Sequence, residues 1–141
     1  MKIKLILSIM VVILVLSLAA CGPAGREVPL QLTYDDFVSQ KKLTRNIEVN
    51  TRDTVKITLP SNPSTGFSWE LAGISDPAVL KQDGESEYVL PESSALGATG
   101  QEIWTFRVQK RGTSSISLAY SQPWAGGTKG EWTIKIEVKV K

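Results

Sequence analysis

The 141-residue chain holds no histidine and a single cysteine, Cys21, so the side chains that most often act as nucleophile or general base are almost absent. A Ser-His-Asp or Cys-His arrangement cannot be assembled, and zinc held by Cys and His is excluded. Carboxylates remain. Asp35-Asp36 and the run Glu85 to Glu87 are the nearest clusters among fourteen scattered acids. Paired carboxylates could serve glycoside hydrolysis, but adjacent acids in polar surroundings read more simply as a solvated face or loop. No catalytic residue, metal ion or cofactor is expected, and the interest moves from chemistry to surface.

That surface has three small loops of turn residues: Asn62-Pro63-Ser64-Thr65-Gly66, Gly97-Ala98-Thr99-Gly100 and Gln122-Pro123-Trp124. In the first, Asn can bond its own backbone, Pro presets its φ, and Gly66 permits a positive φ on leaving the turn. Ser64 and Thr65 then stand at the tip. In the second, the glycines allow another surface to approach the backbone closely. The third puts Trp124 just past a strand and ahead of Gly126-Gly127, and Trp is enriched at binding hot spots. Each loop alone could be a plain surface turn, and Trp124 could fold back over the core.

The elements that must position these loops are strands. Ile47 and Val49 share one phase of a segment from Arg45 to Asn50. Val55, Ile57 and Leu59 alternate with polar residues, as do Phe67, Trp69 and Leu71, then Trp104, Phe106 and Val108. Ile116, Leu118 and Tyr120 form a fifth such segment, and Trp132 to Val140 a sixth. A period of two puts one face of each strand inward, so Trp69, Trp104, Phe106 and Trp132 are expected in the core. Asp83-Gly84 and Arg111-Gly112 supply turns. Tyr34 to Gln40 fits one short helical turn or a first strand. Short strands and turns in a chain of this length predict an all-β, immunoglobulin-like antiparallel β-sandwich. The lone cysteine excludes an intramolecular disulfide.

The first twenty residues read as an export signal. Lys2 and Lys4 precede an apolar run from Leu5 to Leu16 broken only by Ser8, and Leu18-Ala19-Ala20-Cys21 follows. The run is too compact for a convincing membrane span. The tetrapeptide resembles the bacterial lipobox, which implies acylation of Cys21 and anchoring in a bacterial cell envelope. The expected division is a signal at 1–20, a lipidated tether and lead-in at 21–44 opened by Gly22-Pro23-Ala24-Gly25, and a binding domain at 45–141. Losing Lys2 and Lys4 leaves fourteen basic against fourteen acidic side chains. That balance argues against nucleic-acid binding and predicts no long-range attraction to an anionic membrane.

The segment Asn62 to Trp69 resembles the Asn-Pro-Thr-Thr-Gly-Tyr/Phe-x-Trp motif of the chagasin family, protein inhibitors of papain-like cysteine peptidases. The family's Gly-rich loop is matched by Gly97 to Gly100 ahead of Ile103 to Phe106, and its Tyr-x-Arg-Pro-Trp by Tyr120 to Trp124. All three occur in order. Ser64 replaces a Thr, Thr99 a Gly and Gln122 an Arg, the last removing a charged five-donor fork. The resemblance implies a monomeric, non-enzymatic, reversible inhibitor whose three loops occlude a peptidase cleft. An adhesion or envelope-assembly module on the same sandwich is the alternative, since sandwiches host many functions.

Overall fold

The computed structural model describes residues 24–141, so the export signal and Cys21 lie outside the described residues. Nine strands, a short helix and a 3-10 turn follow in the order β1 (Glu27–Gln31), α1 (Tyr34–Ser39), β2 (Lys42–Val49), β3 (Thr54–Ser61), the 3-10 turn Pro63–Thr65, β4 (Ser68–Ile74), β5 (Leu80–Gln82), β6 (Glu87–Val89), β7 (Gly100–Val108), β8 (Gly112–Ser121) and β9 (Trp132–Val140). One sheet orders its strands β1-β3-β7-β5, with β6 also pairing β7. The other runs β2-β9-β8-β4. The two apolar faces meet as a sandwich.

All six segments with an alternating pattern are strands, and their inward phase is the core. Val55, Ile57, Leu59 and Phe106 are buried on one sheet, Ile116, Leu118, Ile134, Ile136 and Val138 on the other. Cross-strand partners match in kind: Ile57 lies opposite Trp104, Val55 opposite Phe106, and Ile116 opposite Ile136. Trp69 and Trp104 are buried as the alternation predicts, whereas Trp132 is partly buried and packs against the core cluster.

The interior pairs are antiparallel. Two edge strands are not: β1 pairs β3 in parallel, and β2 pairs β9 in parallel. Parallel neighbours need a long crossover. Here β1 leaves one sheet through α1, and β2 joins the other. The lead-in segment from Glu27 onward therefore supplies one edge strand to each sheet. Tyr34 to Ser39 is the helical alternative. The Thr33 N–H and hydroxyl both donate to the Asp36 carboxylate (2.8 Å each), closing the first turn. Phe37 is wholly buried between Trp69 and Trp132, with ring centroids 5.2 Å from each.

This topology defines two poles. β3 rises to Ser61 and β8 to Ser121, while β7 descends from Gly100 and β9 from Trp132. One pole thus carries α1 and the links β3–β4, β6–β7 and β8–β9. The other carries the N-terminal residues and the turns β2–β3 and β7–β8.

Candidate functional site

The three loops named by the sequence all lie at the α1 pole. The first is held from within. Asn62 Oδ1 accepts from the Ser64 N–H (3.3 Å) and hydroxyl (2.6 Å). The Thr65 hydroxyl donates to the Asn62 carbonyl (2.7 Å), and the Gly66 N–H to the Pro63 carbonyl (2.9 Å). Gly66 closes the turn at φ 81°, as its position predicts. Ser64 and Thr65 are exposed at the tip, but their hydroxyls are spent on the loop's own backbone and Asn62. They shape the tip more than they offer free donors.

The base of this loop is clamped from the neighbouring strands. The Asn62 N–H donates to the Tyr120 phenol oxygen (2.9 Å). The buried Glu102 carboxylate accepts from the Ser61 hydroxyl (3.3 Å) on one side of the loop and the Trp69 N–H (3.3 Å) on the other. A third donor, the Ser86 hydroxyl (2.9 Å), ties in the β5–β6 link. Glu102 sits on the same inward phase of β7 as Trp104, Phe106 and Val108, two residues before Trp104, so the alternation itself points its carboxylate inward and only the partners it finds there reveal its role. The suspected acid clusters have other duties: Asp36 serves the helix start and lies 3.6 Å from Arg45, and Ser86, within the other run, is a donor to Glu102. The Thr33 N–H and hydroxyl hold the Asp36 carboxyl below the usual carboxylate range, with a lesser contribution from Arg45.

The second loop touches the first, since Asn62 Nδ2 donates to the Gly97 carbonyl (3.3 Å). Gly97 adopts φ 79°. Gly100 is buried, and any Cβ there would lie 2.6 Å from the Val89 carbonyl oxygen, so the backbone of β6 requires glycine. Ala98 and Thr99 stand between them, Thr99 exposed.

The third loop is closed by Gln122. Its N–H donates to the Thr128 carbonyl (2.8 Å), and its side-chain oxygen accepts from the Thr128 N–H (2.9 Å). Its own carbonyl accepts from Lys129 Nζ (2.5 Å). Gln122 thus braces the loop where an arginine would project charge. Pro123 and Trp124 are exposed. Trp124 does not fold back over the core: it remains 51% exposed and lays its ring edge over Gly66, where a Cβ would come within 2.4 Å of Cη2. The third loop is thereby joined to the first.

Between the first two loops and α1 lies a cleft of about 370 Å³ lined by Tyr34, Asn62, Thr65, Thr99, Tyr120 and Trp132, among others. Stacked Phe67, Tyr120 and Trp132 rings support this pole, with neighbouring centroids 5.0–5.3 Å apart. Among the described residues no group of three His, Cys, Asp or Glu side chains could hold a metal ion. At this pole the three loops are joined to one another through the Asn62–Gly97 hydrogen bond and the Trp124–Gly66 contact.

Residues 48–138, which span all three loops, match the family model described as chagasin family peptidase inhibitor I42. The chain belongs to the chagasin family of peptidase inhibitors. It is an inhibitor and not an enzyme. Chagasin of Trypanosoma cruzi is 40% identical over 76 residues, covering 52% of this chain and 69% of its own length. Amoebiasin-2 of Entamoeba histolytica is 31% identical over 91 residues, covering 64% and 73%. The chagasin fold extends over the lead-in strands as well. The crystal structure of the cysteine protease inhibitor EhICP2 from Entamoeba histolytica superposes with a TM-score of 0.61 at 24% identity, covering 85% of this chain and 100% of that one. PbICP-C, solved in complex with falcipain-2, gives 0.56 at 21% identity over 83% and 100%. The immunoglobulin-like sandwich of these chagasin-type inhibitors is the fold of this chain.

Proposed function

We propose that this chain inhibits papain-like cysteine peptidases reversibly and without covalent chemistry, by filling the active-site cleft with its three loops. The observation that carries this reading is their junction. Three motifs far apart in sequence form one pole, where Asn62 bonds the Gly97 carbonyl and Trp124 covers Gly66. The binding residues are Asn62, Pro63, Ser64, Thr65, Gly66, Gly97, Ala98, Thr99, Gly100, Gln122, Pro123 and Trp124. The Asn62 to Gly66 loop sits centrally and the other two flank it. Loops already bonded to themselves and each other lose little entropy on docking. Cysteine peptidase inhibition by EhICP2, and the complex of PbICP-C with falcipain-2, support the choice of target class. The inhibitor acts as a monomer.

The Leu18-Ala19-Ala20-Cys21 sequence supports a further part of the reading. Cys21 is acylated, and the protein is a lipid-anchored component of a bacterial cell envelope. The deciding experiment is a titration of the protein into papain with a fluorogenic substrate. Competitive, fully reversible loss of activity is expected. Full papain activity under saturating inhibitor would overturn the proposal.

A further inference from the structure

The pole opposite the loops is closed by segments that carry four exposed basic side chains. Arg26 precedes β1, Arg52 lies in the β2–β3 turn, and Lys110 and Arg111 lie in the β7–β8 turn. Backbone contacts draw these segments together. Gly25 lies so close to the Arg52 carbonyl that any Cβ would collide with it. The Thr54 N–H donates to the Arg26 carbonyl (2.9 Å), and the Val108 N–H to the Asp53 carbonyl (3.0 Å).

All four basic side chains are exposed, and the acids nearby are already engaged. Asp53 is almost inaccessible and accepts from the Asn50 and Arg26 N–H groups. Glu48 pairs with Lys139 and Lys141, and Glu27 with Lys56. Asp76 accepts from the Ala78 N–H at the start of its own turn. Among the described residues, Arg52, Lys110 and Arg111 form no salt bridge, and Arg26 reaches Asp53 only at 4.0 Å. A chain whose mature charges cancel overall therefore presents a basic face at one end.

We infer that this basic pole docks on an anionic bilayer surface and stands the inhibitor on the membrane with its three loops facing outward. The inference rests on the acylation of Cys21. Only Gly22 to Gly25 separate Cys21 from Arg26, and four extended residues reach at most about 14 Å. An acyl anchor there holds this pole, and not the other, within reach of lipid headgroups. The loops lie about 25 Å further out, the length of β3 at ~3.3 Å per residue. Basic side chains close to an anionic leaflet are attracted locally, whatever the balance of the whole molecule, because the field decays within a Debye length. The acyl chains supply attachment, and the basic turns supply orientation.

The test uses the full-length gene product, purified as the processed protein and inserted into vesicles. One set is phosphatidylcholine alone, and the other contains a third phosphatidylglycerol. Amide hydrogen exchange is read by segment. On the anionic vesicles, residues 24–26, 50–53 and 109–112 should exchange several-fold more slowly than on the neutral ones, with the three loops unchanged. The difference should vanish at high salt, where the screening length falls to about 3 Å. It should also vanish in the variant Arg52→Glu, Lys110→Glu, Arg111→Glu. Equal exchange of these turns on both vesicle types, with Cys21 acylated by mass, would overturn the basic face alone. A mass showing unmodified Cys21 would overturn the anchor and this orientation together.

Discussion

Trp124 and Gly66 are best understood as one contact. Gly66 needs φ 81° to end the 3-10 turn, and it also leaves room for the Trp124 ring. Removing the ring removes little else, because Trp124 is half exposed and lies outside the core cluster. Trp124→Ala should therefore melt like the parent. It should weaken inhibition by ~2 kcal/mol or more, about thirtyfold, as truncation of an aromatic anchor does. An inhibition constant beside a melting curve separates the two effects. Gly66→Ala should act on both. A Cβ there strains the left-handed backbone by about 1 kcal/mol or more and displaces the indole. Its melting temperature should drop modestly and its inhibition by much more. Unchanged inhibition in Gly66→Ala would mean that the position of Trp124 does not matter to binding.

At the scale of the element, β7 supports the sheet beneath the loops, and the β2–β3 turn fastens the opposite pole. Trp104 is buried on β7 opposite Ile57. Its Nε1 is the one buried side-chain polar atom without a partner among the described residues. Trp104→Ala should cost ~3–5 kcal/mol through the cavity it leaves. Trp104→Phe should cost less, because it removes the unpaired donor along with part of the ring. Equilibrium unfolding of the two variants checks the ordering. Asp53 fastens the other pole. The N–H groups of Asn50 and Arg26, and to a smaller extent the Arg26 guanidinium, hold its carboxyl below the usual aspartate range against a modest burial penalty. A carboxyl with a lowered folded-state value stabilises the fold above its unfolded-state value, and that stability is lost as pH falls through the lowered one. The parent should hold its melting temperature from neutral pH into the ordinary carboxylate range and lose it below. Asp53→Asn should start about 1–3 kcal/mol lower at neutral pH, the worth of hydrogen bonds to a charged group, and the gap should narrow in acid. A gap that persists undiminished in strong acid would rule out the charge as the source.

At the scale of the whole molecule, the three loops and the entry of the chain lie at opposite poles. Loops project from one end, while the chain enters beside Asp53 at the other. An anchor on Cys21 would thus leave the loop pole clear of the bilayer. Replacing Cys21 by Ser should shift the protein from the membrane to the soluble fraction, or stall its processing, with no change in the melting curve of the folded domain. Fractionation of cells expressing each form reads this directly. Normal processing with undiminished membrane retention would count against the lipobox. No helix among the described residues is long and apolar enough to cross a membrane.

The sequence by itself determined the parts of this protein that depend on near neighbours. Alternation over six segments specified which residues face the core, because successive side chains in a strand point to opposite faces. The Asn62 to Gly66 turn was legible because its bonds close within five residues. Family membership could be read from three short motifs in order. Only the tertiary structure decided what depends on distant pairing. The strands β5 and β6, at three residues each, offer too few positions for a period to register, and the proline in β1 spoils that strand's signal at an edge where a missing N–H is tolerated. No local pattern marks the parallel edges, the bracing of both sides of the first loop by Glu102, or the seating of Trp124 on Gly66. Arg26, Arg52, Lys110 and Arg111 lie far apart in the sequence and were brought to one pole by strand direction. Composition sums charge without regard to position, whereas the fold assigns each charge to an end.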